Sequence, residues 1–111
     1  MDDRVAMVAS GFSAMGSEAR LDVLRTLVRA GRGGISVGEI GERTGIPAST
    51  LAHHLKTLSA AGLIEQVRDG RSIINRAAYA RLAELAQFIF EECCADADVG
   101  VRGETQKELA S

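Results

Sequence analysis

From Ser36 to Ala61 the apolar positions fall into two short helical runs split by a glycine. Ser36-Val37-Gly38-Glu39 fits a capping box, in which the serine oxygen takes an orphan backbone donor and the glutamate reaches back to the cap. The helix it opens carries Ile40 inward and ends at Thr44-Gly45, where glycine adopts the left-handed conformation at little cost. Pro47 restarts the chain as a first helical residue. In the second run Leu51, Leu55 and Leu58 recur at i, i+4 and i+7, a buried stripe that leaves Ser49, Thr50, His53 and Lys56 on the opposite face until Gly62. Past Gly62 the apolar residues no longer follow a helical period. Leu63 to Arg68 and Arg71 to Arg76 predict strands, with Ile64, Val67, Ile73 and Ile74 as β-branched bulk. Asp69-Gly70 joins them in a tight hairpin whose two central positions both favour positive φ.

The flanks read as helices. Val5, Val8, Phe12 and Met15 form one apolar stripe; Ser17-Glu18 opens a second helix that turns Leu21, Leu24, Leu27 and Val28 inward before Gly31. Gly31-Arg32-Gly33-Gly34 lacks a following Gly-Lys-Ser/Thr and a preceding strand, so it reads as a connector rather than a phosphate loop. A last helix begins near Ala77 to Tyr79 and runs through Leu82, Leu85, Ala86, Ile89, Phe90 and Cys93. The predicted fold class is mainly α with a β-hairpin wing, a winged helix-turn-helix. Residues 1–95 make the DNA-binding and dimerisation domain, and residues 96–111 a weakly ordered acidic tail. Apolar faces on the first and last helices of so small a domain predict a homodimer through those helices.

Charge changes the picture once it is divided by region. The net charge of −2 hides a basic stretch from Arg43 to Arg76, where five cations oppose two anions, and an acidic one from Glu91 to Ser111, where two cations oppose six anions. Phosphates respond to the local field. A short polar face sized for the major groove puts Ser49, Thr50, His53 and Lys56 near base edges. Arg68 and Arg71, at the tip of a projecting hairpin, suit phosphates or the minor groove. Two such readers related by a two-fold axis predict a roughly palindromic double-stranded operator. No run is apolar for long enough to span a membrane, and Met1-Asp2-Asp3-Arg4 lacks the profile of a secretion signal, which predicts a cytoplasmic protein. Neither an acid, base and nucleophile constellation nor a metal cluster marks an enzyme.

Two cysteines, Cys93 and Cys94, are adjacent near the end of the last helix. Neighbouring α carbons lie ~3.8 Å apart, below the ~4.4 to 6.8 Å of ordinary disulfides. Two reduced thiols can instead chelate one soft, thiophilic centre. On an intact helix their side chains would diverge by about 100°, so shared ligation should distort the helix end. Cys93 also continues the stripe of Ala86 and Ile89, and plain packing is the competing reading. The histidines offer no metal site, since no third ligand stands at a helical spacing from His53 and His54. His54 falls near the packed side as a hydrogen-bonded core histidine.

The run Ser49-Thr50-Leu51-Ala52-His53-His54-Leu55-Lys56-Thr57-Leu58, followed by Ala61-Gly62-Leu63-Ile64 and Arg68-Asp69-Gly70-Arg71, resembles the ArsR/SmtB family of metal- and metalloid-responsive repressors. Ala14-Met15-Gly16-Ser17-Glu18-Ala19-Arg20-Leu21 is similar to that family's entry into its second helix. The resemblance implies a homodimer that occupies an operator without a cofactor and leaves when a small inducer binds. Val37-Gly38-Glu39-Ile40 carries no Cys-x-Cys, and the last helix carries no histidine for a zinc-type site. Phe88-Ile89-Phe90-Glu91-Glu92-Cys93-Cys94 is similar to an arsenic-responsive branch with a vicinal pair. That implies trivalent arsenic or antimony at Cys93 and Cys94. The downstream third cysteine of that branch is lacking, so arsenite keeping a hydroxide, or an arsenical with one organic group, suits the pair better. Two other readings stand beside this one: a thiol-based redox or persulfide-sensing repressor, and a winged helix used as a protein-interaction module.

Overall fold

The computed structural model describes residues 3–97, so most of the expected acidic tail lies outside the described residues. In chain order the elements are α1 (Asp3–Ala14), α2 (Glu18–Ala30), β1 (Ile35–Ser36), α3 (Val37–Thr44), α4 (Ala48–Ala60), β2 (Ile64–Asp69), β3 (Ser72–Ala77) and α5 (Tyr79–Phe90). The strands form one antiparallel sheet in the order β1-β3-β2. This is the winged helix-turn-helix read from the sequence.

Local chemistry fixes the boundaries of the central helices. Ser17 caps α2 by accepting from the Arg20 amide at 3.1 Å, and Ser36 caps α3 by accepting from the Glu39 amide at 3.2 Å. Only that half of the capping box forms as predicted, because the Glu39 carboxylate accepts from Arg43 at 2.9 Å instead. Gly45, at φ 75°, ends α3 and donates its amide to the Gly41 carbonyl. Pro47 is the residue before α4 rather than its first turn, with an extended ψ of 148°.

The core lies where α2, α3 and α4 meet the sheet. Leu51, Leu55 and Leu58 from α4, Ile40 from α3, and Val23, Leu24 and Leu27 from α2 are buried together with Leu63 and Ile64. Each such side chain withdrawn from water contributes about 1.5–3 kcal/mol. Leu21 and Val28, predicted to face inward, are exposed, and Val23 takes their place. The face of α2 is therefore rotated from the one its leucines suggest. In α1 Val8 is buried and Phe12 packs against the core, as does Met15 just past the helix end, whereas Val5 is exposed and Gly11 and Ala14 are buried in addition. Gly11 permits close packing on α5, since a Cβ there would come within 2.9 Å of Leu85 Cδ1.

Two features of the hairpin differ from the sequence reading. The paired register runs from Ile64↔Ala77 to Asp69↔Ser72, so the two loop residues are Gly70 and Arg71. Gly70 alone takes positive φ there, at 63°, and Asp69 is a strand residue. A third strand, β1, pairs Ile35 with Asn75 and Ser36 with Ile74. Of the β-branched residues, Ile64 is buried whereas Val67 and Ile73 are exposed on the projecting part of the wing. Asn75 is wholly buried and its Oδ1 accepts from Gln66 Nε2 at 2.8 Å across the ladder.

α5 stops at Phe90, short of the cysteines, and Ala86, Ile89 and Phe90 face outward. Its start is tied to the end of α2 by the Tyr79 hydroxyl, which donates to the Val28 carbonyl at 3.1 Å. Among the described residues no helix is long and apolar enough to cross a membrane.

Candidate nucleic-acid interface and thiol pair

α4 presents the polar face its period predicts. Ser49, Thr50, His53 and Lys56 are all exposed while Leu51, Leu55 and Leu58 anchor the other side. No side chain caps the first turn of α4, which leaves amide donors there for an outside acceptor. His54 is half-buried, and its Nδ1 is enclosed without a hydrogen-bond partner. The expectation of a hydrogen-bonded core histidine is corrected on that point. Its ring is tilted by 51° from that of His53, with centroids 6.1 Å apart.

Beyond Ile64 every residue of β2 is exposed, and the hairpin projects as a ribbon from the core. Arg71 stands in the loop itself and Arg68 lies opposite Ile73, one pair back from the tip. Ion pairing sorts the five cations of the basic stretch. Arg43 is tied to Glu39 and Arg76 to Glu65, at 2.9 and 2.8 Å. Lys56, Arg68 and Arg71 make no salt bridge among the described residues. The three cations assigned to nucleic acid from their positions are thus the ones without an ion pair among the described residues.

The thiol pair sits at the other end of the chain. After α5 the backbone tightens into i to i−3 turns, with the Cys93 amide donating to the Phe90 carbonyl and the Ala95 amide to the Glu92 carbonyl. Cys94 is the one non-glycine residue with positive φ among the described residues, at 60°. A side chain held there costs roughly 1–3 kcal/mol. That turn undoes the divergence expected of helical neighbours and brings the two sulfurs to 3.5 Å. The helix end is therefore already distorted before any ligand arrives. With thiolate–metal bonds of about 2.3 Å, sulfurs so placed would subtend roughly 100° at one shared centre. Among the described residues no group of three or more His, Cys, Asp or Glu side chains could hold a metal ion.

Beside the pair, Arg4 of α1 reaches the last helix. Its guanidinium donates to both oxygens of Glu91, one of them at 2.6 Å, and lies 5.1 Å from the centre of the Phe88 ring. Arg4 holds the Glu91 carboxyl below the usual carboxylate range. The contact is thus intact at neutral pH and is lost only as acid carries the pH down through that lowered value. Neither residue stood out in the sequence, because 87 positions separate them.

Residues 15–67 match a family profile described as a helix-turn-helix domain. Two regulators are similar along most of their own length. One is an uncharacterized HTH-type transcriptional regulator, YceK of Bacillus subtilis, 39% identical over 71 residues that cover 64% of this chain and 68% of that protein. The other is the biofilm growth-associated repressor of Xylella fastidiosa, 32% identical over 95 residues that cover 86% and 81%. Among solved structures, an ArsR-like transcriptional regulator from Rhodococcus sp. RHA1 superposes with a TM-score of 0.71 at 33% identity, covering 96% of this chain and 95% of that one. A homodimeric winged helix-turn-helix DNA-binding domain from Mycobacterium bovis, a possible ArsR-family regulator, superposes with a TM-score of 0.63 at 31% identity, covering 83% and 89%.

Proposed function

The chain belongs to the ArsR/SmtB family of helix-turn-helix transcriptional regulators, and on that footing we propose an inducible repressor whose inducer is a trivalent arsenical or related thiophilic metalloid. It holds a palindromic operator as a homodimer and leaves when the inducer bridges Cys93 and Cys94. The observation that carries the inducer is the 3.5 Å separation of the two sulfurs. An angle near 100° suits a pyramidal centre with a lone pair, such as trivalent arsenic or antimony, and soft sulfur donors favour such centres over hard ions. Zinc in structural sites takes four ligands, which the pair alone does not offer. A vicinal disulfide would need the sulfurs to close to ~2.05 Å over adjacent α carbons, against the usual geometry.

The dimer is proposed to form through the outward faces of α1 and α5, where Val5, Met7, Ile89 and Phe90 are exposed, the last two by more than half of their surface. The Mycobacterium bovis relative is a homodimer of the same fold. A two-fold axis there would set two copies of α4 about one DNA turn apart.

Titration of a complex between the protein and its DNA with arsenite, phenylarsine oxide, zinc and polysulfide tests the inducer. Release by the arsenicals at concentrations where zinc and polysulfide have no effect is the expected result; release by polysulfide alone would replace the metalloid with a persulfide-sensing role. For the interface, Arg68→Ala and Arg71→Ala should each lower the slope of log affinity against log salt by about 1, weakening binding across sequences. Substitution of Thr50 or His53 should instead alter the preferred sequence, which selection from random duplexes would read.

A further inference from the structure

α1 and α5 meet closely at two places along their length. One is the contact of Gly11 with Leu85, and the other is the grip of Arg4 on Glu91 and Phe88. The second lies at the thiol end of α5, with Glu91 two residues before Cys93. We propose that this clamp is the mechanical link through which occupation of the thiol pair is passed to α1, with Arg4 as its positioning residue. The inference rests on the reading of Cys93 and Cys94 as the inducer site and adds how that site reaches the dimer face.

Three features support it. The first is geometric: a bidentate ion pair combined with a cation over an aromatic ring fixes direction as well as distance, so Glu91 cannot turn without moving Arg4 or losing it. The second is energetic. Arg4 and Glu91 are both substantially exposed, and exposed pairs contribute little to stability, so the fold does not depend on this contact. The third is its surroundings. A groove of about 380 Å³ runs beside the clamp, lined by Arg4, Val5, Phe88, Glu91 and Glu92, which gives these side chains room to swing. The turns that follow α5 carry both cysteines, so a centre bridging their sulfurs holds the segment that Glu91 begins in this one arrangement, and the clamp passes that restraint to α1. α1, at the other end of the clamp, exposes Val5 and Met7 to the proposed partner copy.

Coupling between sites is a free-energy difference that each ligand exerts on the other. Removing the link should therefore change the coupling and spare both binding events. The experiment compares the full chain with Arg4→Gln, Glu91→Gln and Arg4→Lys. Affinity for a duplex selected by the unsubstituted protein is measured with and without phenylarsine oxide, and binding of phenylarsine oxide is measured without DNA. Arg4→Gln and Glu91→Gln should bind the arsenical and the duplex nearly as before, while the factor by which the arsenical weakens DNA binding falls at least tenfold. Arg4→Lys, which keeps the charge over Phe88 but not the two-pronged grip, should recover part of that factor. An undiminished factor in both glutamine variants would overturn the clamp while leaving the inducer site standing. If the unsubstituted protein keeps its duplex in phenylarsine oxide, the inducer reading itself fails. Should Arg4→Gln not fold, Glu91→Gln and Arg4→Lys decide the matter by the same ratio.

Discussion

With both Cys93 and Cys94 replaced by serine, the protein should hold its operator with nearly unchanged affinity and no longer release it to phenylarsine oxide. Fluorescence anisotropy on a labelled duplex reads both quantities. The cysteines lie beyond α5, far in sequence from the polar face of α4 and from the wing, and a hydroxyl fits where a thiol did. Serine oxygen, however, is a hard and protonated donor for a soft centre. To turn a bound population into a released one, the inducer must favour the released state by about 10⁴-fold, near 5.5 kcal/mol. Bonds to two thiolates can supply a preference of that size, and the geometry costs little more, because Cys94 already holds its left-handed turn. Each single serine variant should lose most of the response, since one sulfur forfeits the chelate. Release that persists in the double variant would move the inducer away from this pair.

Gly34→Ala should be among the most damaging single-methyl additions to this fold, lowering stability by about 2–4 kcal/mol in urea denaturation. Gly34 has φ of 73°, and a Cβ on it would lie 2.6 Å from the Asn75 carbonyl oxygen and 2.7 Å from Ile74 Cγ2. Neither neighbour can retreat freely. Asn75 pairs with Ile35 and Ile74 with Ser36, so their displacement would undo the strand that leads into α3. Gly33→Ala, one residue earlier, meets nothing within 4 Å and has no positive φ, and it should change stability little. The pair of variants separates local crowding from a general effect of stiffening the loop.

That loop also shows where sequence reading reached and where it stopped. Gly31 to Gly34 was legible as a connector, because the residues that would cradle a phosphate are lacking. Its tight approach to β3 was not, since β1 is two residues long and owes its existence to a partner some forty positions away. α3, α4 and the hairpin were legible because their caps, glycines and leucine spacing are local signals. The rotation of α2 was hidden: Leu21 and Val28 obey the helical period as well as Val23 does, and only tertiary packing decides which face is covered. The same holds for the candidate sites. Ser49, Thr50, His53 and Lys56 followed from one helix, and Arg68 with Arg71 from one hairpin. The meeting of Arg4 with Glu91 depends on how distant elements come together, and the turn at Cys94 was hidden because the apolar stripe runs on to Cys93 while the helix stops at Phe90.

The residue that precedes α4 is a proline, which offers no side-chain acceptor to the helix's first turn. In most helices a serine, threonine or aspartate would complete this end from within the chain. Under the proposed function a phosphate of the operator stands in that place, so the reading helix gains its final hydrogen-bond acceptors from the DNA. On that reading the operator completes a helix end that the chain itself leaves open.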